Sequence, residues 1–180
     1  MEIKEEDFIK IFNINVFAIY RINKTFLPLL KEKGRIIVIS SELGPLDPLP
    51  FTGLYGITKS TIEKYVYSLR MELQLLDIKV ILIRPGAVDT GLLDVSTTAL
   101  DKFINKTNLY SCNAKKFKNI VDSVEARKIK PIKIANLIYK VANKKHPRYV
   151  YSINRNPLLL ILNALPKSWQ NNIIKSILKK

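Results

Sequence analysis

Tyr55 and Lys59 stand four residues apart in the stretch LYGITKS. On a helix, this spacing places two side chains on the same face, one turn apart. A nearby ammonium favours the phenolate form of a tyrosine, so Lys59 is expected to lower the pKa of Tyr55 from its ordinary value of about 10. A phenol tuned in this way can act as a general acid or base near neutral pH.

A Tyr-x-x-x-Lys match is weak evidence by itself. The chain has 8 tyrosines and is rich in lysine, so about one match is expected by chance. It has two, and the second joins Tyr20 to Lys24. This second pair is an internal control, because the surroundings that would make Tyr55 and Lys59 reactive should be absent around it. The alternative for Tyr55 and Lys59 is an ordinary surface pair on a helix.

The elements that must position this pair follow from the hydrophobic pattern. Residues 5–31 lack glycine and repeat apolar side chains every three or four positions, which predicts a helix. GRIIVIS and IKVILIRPG each contain an apolar run typical of strands buried on both faces of a parallel sheet. Residues 55–76 between them again show a helical period. Strand, helix and strand form a βαβ unit, and the fold class is therefore α/β.

The remainder of the chain has a weaker pattern. It predicts a loop and irregular stretch to about residue 124, a helix near residues 131–143, a short strand in RYVYSI and a C-terminal tail. No repeat or Gly/Ser-rich linker divides the sequence, and 180 residues with 47% hydrophobic content suit one core. We therefore expect a single domain.

Polar residues follow both predicted strands. Ser40 and Ser41 come directly after RIIVI, and RPGAVDTG follows VILI. Because ligands bind outside the carboxyl ends of the strands in open α/β sheets, these residues and Tyr55 should meet at one edge. A hydroxyl at Ser41 could hold a carbonyl oxygen close to the Tyr55 proton. Such a set suits the protonation of an alkoxide during reduction of a ketone.

Five stretches together carry a family resemblance: NVFA, GRIIVISSELG, LYGITKS, RMEL and IRPGAVDTGL. Their order and approximate spacing resemble the classical short-chain dehydrogenase/reductase family, closely over residues 5–95 and loosely beyond. The resemblance implies a partial Rossmann-like, doubly wound parallel sheet that keeps the last three strands and their flanking helices. It also implies an NAD(P)-dependent oxidoreductase that interconverts a secondary alcohol and a ketone.

The same resemblance implies four catalytic roles. Tyr55 would be the general acid or base, and Lys59 would lower its pKa and bind the nicotinamide ribose. Ser41 would orient the substrate oxygen, and Asn15 would hold a proton-relay water. Two alternatives stay open: Asn15 as a plain polar residue of its helix, and Ser41 as a turn former with Ser40 as the true partner.

A further segment resembles the one that contacts the nicotinamide end of the cofactor, NAD or NADP. It comprises Pro85, Gly86, Val88 and Thr90, of which Thr90 could instead only cap the next helix. The family's Gly-rich turn after its first strand has no counterpart, because all six glycines lie at position 34 or later. The catalytic half is thus expected without the adenosine half. We expect one partial domain, with a catalytic core over residues 1–95, substrate loops with the last helix and strand over residues 96–150, and a basic amphipathic tail over residues 151–180.

The missing half leaves three interpretations. In the first, the chain is a truncated enzyme. In the second, it is a non-catalytic remnant, or half of a split enzyme whose partner supplies the nucleotide site. In the third, it is a basic module that docks on a membrane. Its macromolecular partner would be a second copy in a homo-oligomer or a complementing N-terminal half. The substrate would be a small alcohol or ketone bound by about residues 92–124, and the apolar basic tail suggests a lipid-like one.

Composition argues against several other classes. Cys112 is the only cysteine and His146 the only histidine, so no metal site is expected. The acidic first residues and the lack of an apolar run long enough to cross a bilayer predict a cytoplasmic protein. The sequence has no groove-reading helix motif or aromatic stacking platform, so no nucleic acid partner is expected.

The charge of the chain is concentrated at its C-terminal end. Residues 127–180 hold 13 Lys and Arg and no Asp or Glu. Residues 166–180 should form an amphipathic helix that could lie on an anionic membrane, or else pack against the domain or a dimer partner. Its apolar side would hold Trp169, Ile173, Ile174, Ile177 and Leu178, and its polar side Asn171, Lys175 and Lys179.

Overall fold

The computed structural model of the chain describes residues 2–30 and 33–179, without the side chains of residues 92–97 and 125. In this part of the chain, three strands alternate with helices, and three short π-helical or 3-10 turns extend or join the helices. The helices are α1 (Glu5–Phe12), α2 (Ala18–Phe26), α3 (Gly53–Leu73), α4 (Gly91–Lys106), α5 (Ser111–Glu125), α6 (Pro131–Asn143), α7 (Pro157–Ala164) and α8 (Lys167–Leu178), and the strands are β1 (Arg35–Ile39), β2 (Lys79–Pro85) and β3 (Val150–Ile153).

The sheet is parallel, with the strand order β1-β2-β3. Ile37 pairs with Ile81, and Ile83 pairs with Tyr151. The central strand, β2, is covered on both faces, as its run of apolar residues predicts. The expected α/β class is therefore confirmed, as are the helix near residues 131–143 and a strand within RYVYSI.

Helix α3 is the crossover between β1 and β2, and it forms the core with the sheet. Ile62, Val66 and Leu73 are buried against Val80 and Leu82 of β2. One buried ion pair reinforces this contact.

That ion pair joins α3 to the end of β2. Arg84 Nη2 lies 2.5 Å from Glu63 Oε2, and Arg84 Nε lies 3.0 Å from Glu63 Oε1. The two-pronged geometry satisfies both charged groups, with the Glu63 carboxylate buried and the Arg84 side chain still 20% exposed. It fixes the start of the segment after β2 relative to the helix that carries Tyr55.

The predicted N-terminal helix is present but is not continuous. A π-helical turn, Asn13–Phe17, joins α1 to α2, and a 3-10 turn, Leu27–Leu29, follows α2. A widened turn of this kind is uncommon in globular proteins and is frequent at functional sites. Asn15 lies in the middle of it.

The prediction of a loop and irregular stretch up to about residue 124 is wrong, because α4 and α5 occupy most of these residues. Phe103, Ile104, Ala114 and Phe117 are partly or fully buried and give the two helices an apolar side. Abundant Lys, Asn and Thr conceal this period in the sequence. The ring of Phe51, just before α3, packs against both helices, with ring centroids 5.5 Å from Phe103 and 5.7 Å from Phe117.

The C-terminal tail forms two helices that pack on the loop between β1 and α3. The backbone N–H of Asp47 donates to Asn163 Oδ1 of α7 at 2.8 Å, and the Asp47 carboxylate pairs with Lys167 at the start of α8. The expected C-terminal helix is therefore present and is anchored to the domain, and no helix in residues 2–30 or 33–179 is long and apolar enough to cross a membrane.

Strand β1 lies at the edge of the sheet. In the described residues it pairs with β2 alone, so its other side carries unpaired backbone groups. Ile39, at the end of this strand, is 43% exposed. The edge is therefore able to accept a further parallel strand.

Candidate active site

Tyr55 lies in the first turn of α3, and its phenol is close enough to the Ser41 hydroxyl for that hydroxyl to act on its pKa. Backbone pairing beyond β1 holds Ser41 in place, since the N–H of Ser40 donates to the carbonyl of Ile83 at 2.8 Å and that of Glu42 donates to Pro85 at 2.8 Å. The predicted meeting of these groups at the carboxyl ends of the strands is therefore observed.

Lys59 follows Tyr55 by one turn, as its spacing predicts. Its Nζ lies 5.5 Å from the centroid of the Tyr55 ring, which is within range of a cation–π contact. No carboxylate forms an ion pair with Lys59 in the described part of the chain. The ammonium is thus held beside the phenol without a counter-charge.

The expected lowering of the Tyr55 pKa is not observed. Burial raises the pKa of the Tyr55 phenol, and the hydrogen bond with Ser41 opposes this effect only in part. Burial also lowers the pKa of Lys59. Both shifts have the same physical cause, because a partly desolvated site disfavours the charged form of each group.

The control pair differs in its surroundings. Lys24 Nζ lies 5.9 Å from the Tyr20 ring, so the local geometry of the two Tyr-x-x-x-Lys pairs is similar. Tyr20, however, is 46% exposed, and its ring packs edge-on against Tyr65 on the side of α3. It lies on α2 and not at the strand ends, so position in the fold distinguishes the two pairs.

Asn15 reaches the site through a residue that the sequence did not single out. Its Nδ2 donates to Thr58 Oγ1 at 3.1 Å, and Thr58 Oγ1 donates to the backbone carbonyl of Tyr55 at 2.8 Å. Thr58 is fully buried between Tyr55 and Lys59 in sequence. Asn15 therefore braces the turn of α3 that carries both residues.

The Ser40 side chain faces Gly44. Its hydroxyl is buried and has no hydrogen-bond partner in the described residues, and it lies 2.8 Å from the point where a Cβ on Gly44 would be. The same point is 2.6 Å from Glu63 Oε1, so only glycine lets the loop approach α3 this closely at residue 44. Of the two serines, it is Ser41 that the fold brings to Tyr55.

The segment after β2 lies beside these residues. Pro85 ends the strand, the N–H of Gly86 donates to the carbonyl of Ile153 at 2.9 Å, and Val88 bridges to Ile129. Thr90 is exposed directly before α4, and its side chain makes no capping hydrogen bond. The alternative role of Thr90 as a helix cap thus lacks its usual contact.

The requirement for glycine at Gly86 has an internal explanation. A Cβ at this position would lie 1.9 Å from the backbone oxygen of Asn154 and 3.0 Å from Glu42 Oε1. The backbone after β3 therefore packs directly against Gly86 in the segment after β2. This contact alone requires glycine at residue 86.

Glu42 borders the candidate site, and the sequence pattern did not single it out. It is buried directly after Ser41, and its Oε2 accepts a 2.7 Å hydrogen bond from the backbone N–H of Asn156. Burial raises the pKa of this carboxyl, although the Asn156 hydrogen bond and the Arg155 charge oppose the change. A charged residue next to a buried strand was the available signal. Glu42 connects the loop of Ser41 to the start of α7.

These residues could hold the nicotinamide end of a dinucleotide, as the family resemblance implies. The partly buried Lys59 ammonium could donate hydrogen bonds to ribose hydroxyls, and the hydroxyls of Tyr55 and Ser41 lie next to it. The sequence offers no Gly-rich turn for the pyrophosphate, as its glycines all lie at position 34 or later. The predicted substrate stretch includes residues 92–97, whose side chains lie outside the described part.

Comparison with known proteins identifies the family of the chain. The family model for short chain dehydrogenase matches residues 1–101. The Helicobacter pylori protein named Probable short-chain type dehydrogenase/reductase VdlC is 28% identical over 176 residues, which is 96% of this chain and 64% of that protein. The 3-ketodihydrosphingosine reductase of Bacteroides thetaiotaomicron is 29% identical over 167 residues, which is 92% of this chain and 60% of that enzyme.

The fold is likewise similar to solved structures. A short chain dehydrogenase/reductase from Burkholderia phymatum, solved in complex with NAD, superposes with a TM-score of 0.68 at 18% identity, covering 96% of this chain and 61% of that one. The chain thus spans less than two thirds of the length of these relatives. The match over more than half of its residues shows that this chain belongs to the short-chain dehydrogenase/reductase family and is an oxidoreductase by family.

Proposed function

We propose that the chain is the catalytic half of an NAD- or NADP-dependent oxidoreductase that interconverts a secondary alcohol and a ketone. The observation that carries this proposal is the closeness of the Tyr55 phenol to the Ser41 hydroxyl, with Lys59 one turn away. A proton donor, a hydrogen-bond donor and a cation next to one another are what a developing alkoxide requires.

In the reducing direction, Ser41 donates a hydrogen bond to the substrate carbonyl oxygen, and Tyr55 transfers its proton to that oxygen. The dinucleotide, when bound, supplies the hydride that reduces the carbonyl carbon. A raised pKa keeps the phenol protonated at neutral pH, which is the form that donates a proton. In the oxidising direction Tyr55 must first lose its proton, so alkaline conditions should favour it.

Lys59 and Asn15 support these steps. The Lys59 ammonium stabilises the phenolate left after proton transfer and donates hydrogen bonds to the ribose. Asn15, through Thr58, holds the turn of α3 so that Tyr55 and Lys59 keep their relative position. Because the Asn15 amide lies on a π-helical turn, we propose that it also helps to hold the water that returns a proton to the site.

The nucleotide half of the site comes from polypeptide outside these 180 residues. Two observations support this part of the proposal. Strand β1 has an unpaired edge, and the chain covers only 64% and 60% of the length of two relatives. That polypeptide is either another part of a longer protein or a separate partner chain. A non-catalytic remnant is the competing interpretation.

The substrate that we propose is a lipid-like ketone. One relative is named as a reductase of 3-ketodihydrosphingosine, which is a long-chain ketone. In this chain an aromatic cluster lies four residues before Tyr55, where the Phe51 ring meets Phe103, Tyr110 and Phe117. Such a cluster suits an apolar substrate better than a charged one.

The test is to recover the protein from its source cells through an affinity tag at the C-terminus. Any preceding segment or partner chain is then recovered with it and identified by mass spectrometry. Oxidation of NADH and NADPH is followed with a panel of ketones that includes long-chain examples, and the alcohol product is identified by mass. A folded preparation that binds either dinucleotide but converts no ketone or secondary alcohol would contradict the proposed reaction.

A further inference from the structure

One apolar stripe of α8 is exposed on the surface of the domain. Trp169, Ile173 and Ile177 recur every four residues, and they are 61%, 37% and 50% exposed. These three residues form the α8 stripe. An apolar stripe on the surface of a domain marks a contact site more often than scattered single apolar residues do.

The neighbouring face of α8 explains why the stripe points outward. Gln170 and Leu178 are buried, and Gln170 Nε2 donates to the carbonyl of Leu165 at 2.8 Å. At the other end, Asn113 Nδ2 of α5 donates to the carbonyl of Leu178 at 2.7 Å. Contacts at both ends therefore anchor α8 to the domain, and the α8 stripe is held exposed by a packed scaffold.

The charge around α8 is positive. Lys175 and Lys179 are exposed, and the side chain of Lys116 donates to the carbonyl of Lys179 at 2.6 Å, which adds a third ammonium at this end. Residues 127–180 contain no Asp or Glu, and Asp47 already pairs with Lys167 at the start of the helix. The surface that carries the stripe thus favours an anionic partner.

We propose that α8 docks on an anionic membrane surface, with the α8 stripe in the headgroup region and Lys175 and Lys179 against the lipid phosphates. Tryptophan prefers this region because its ring is apolar and its N–H can reach water. A helix with an apolar stripe and flanking lysines is the arrangement that binds in the plane of such an interface. Leu158 and Ile161 of α7 are exposed too and add apolar surface to the same end of the chain.

A second copy of the chain fits this surface less well. Three side chains offer much less than the about 800 Å² per partner that a stable protein interface buries. A bilayer needs no matching shape, and its negative charge complements the lysines. The proposal does not rest on the oxidoreductase activity, since it concerns α8 and not the residues around Tyr55.

Trp169 provides the probe, because it is the only tryptophan in the chain. The protein, purified with any segment or partner chain that is recovered with it, is mixed with vesicles of phosphatidylcholine alone or with phosphatidylglycerol added, and vesicle flotation separates bound protein from any aggregate. We expect a blue shift of the Trp169 emission and flotation with the anionic vesicles at low salt. Raising the salt should weaken binding several-fold, because screening shortens the reach of the lysine charges.

Two matched variants locate the contact. The double variant Ile173→Gln with Ile177→Gln should weaken binding to anionic vesicles by roughly tenfold or more, since it removes apolar area from the stripe. The control is Leu75→Gln with Leu76→Gln, in which two residues that are 82% and 62% exposed are changed outside α8, and it should bind like the unmodified chain. Circular dichroism checks that both variants are folded.

Three results would overturn the proposal. The first is no blue shift and no flotation with anionic vesicles. The second is an equal loss of binding in the control variant, which would mean that general hydrophobicity is responsible. The third is a Trp169 emission that is already blue-shifted without vesicles and depends on protein concentration, together with a dimer in light scattering. This result would mean that a second copy of the chain covers the α8 stripe.

Discussion

The Tyr55 phenol lies close to the Ser41 hydroxyl across the gap between the end of β1 and the first turn of α3. Neither element could place these groups alone, since Ser41 is held by the backbone of β2 and Tyr55 by the helix that crosses over β2. The geometry of the βαβ unit thus creates the contact on which the proposed chemistry depends.

The first prediction concerns Tyr55→Phe in the form of the protein that turns over substrate. We expect turnover to fall by about 10²–10⁴-fold, because the proton donor is removed while the ring remains. The thermal unfolding midpoint should change little. Tyr20→Phe is the control and should leave turnover almost unchanged, since Tyr20 is exposed on α2. Comparable rate losses from the two variants would refute the distinction between the two pairs.

The second prediction separates the two serines. Ser41→Ala should lower turnover by about 10–10³-fold through loss of a hydrogen bond to the substrate oxygen. Ser40→Ala should leave turnover unchanged and should alter the free energy of unfolding by less than about 1 kcal/mol, because its buried hydroxyl has no partner to lose. A larger rate loss at Ser40 than at Ser41 would reverse the assignment.

The third prediction tests the contact beneath Gly86. Gly86→Ala should lower the free energy of unfolding by about 1–3 kcal/mol or more, because the new Cβ would overlap the backbone oxygen of Asn154. Gly53→Ala is the control: nothing lies within 4 Å of its Cβ position at the start of α3, so its effect should stay below about 1 kcal/mol. Urea denaturation measures both, and equal stability of the two variants would be the contrary result.

The fourth prediction concerns the buried carboxyl of Glu42. Its pKa is raised in the folded protein above the ordinary value of 4.5, so the folded state holds this proton more tightly than the unfolded state does. The stability that this group contributes is therefore fully present below about pH 4.5 and is lost as the pH rises through the folded-state pKa.

Glu42→Gln should then be more stable than the unmodified chain by a margin that grows between about pH 4 and pH 7. The glutamine cannot ionise, and its amide oxygen can still accept the hydrogen bond from Asn156. Glu72→Gln, at an exposed position on α3, is the charge-matched control and should not show this margin. Denaturation curves at several pH values measure it, and a margin that shrinks with pH would contradict the sign argued for Glu42.

The sequence alone was sufficient to predict the parts of the fold that have a strong local pattern of residues. The apolar run of β2 predicts a strand covered on both faces, and the rule for parallel strands then places Ser41 and Tyr55 at the same edge. The helical spacing of Tyr55 and Lys59 likewise gives their shared face. These inferences succeed because each depends on a few adjacent residues and one general rule of topology.

The features that the sequence did not reveal depend on tertiary packing. The pKa of Tyr55 is raised because its phenol is buried, and no local sequence pattern shows this burial. The π-helical turn around Asn15 leaves no compositional trace, and the role of Gly86 becomes visible only when Asn154 is seen against it. The two halves of the tail helix also differ in a way that its sequence does not show, since Leu178 is buried while Trp169 is exposed.

The last prediction is that the purified 180-residue chain binds NADH and NADPH poorly and tends to aggregate or to require a partner. Strand β1 offers an unpaired edge with Ile39 exposed, and an exposed edge recruits other strands. The turn that would hold the pyrophosphate is not part of this sequence. Dinucleotide titration and light scattering of the pure chain make the test. A soluble monomer that binds NAD(P)H at micromolar concentration would show that this chain needs no second half.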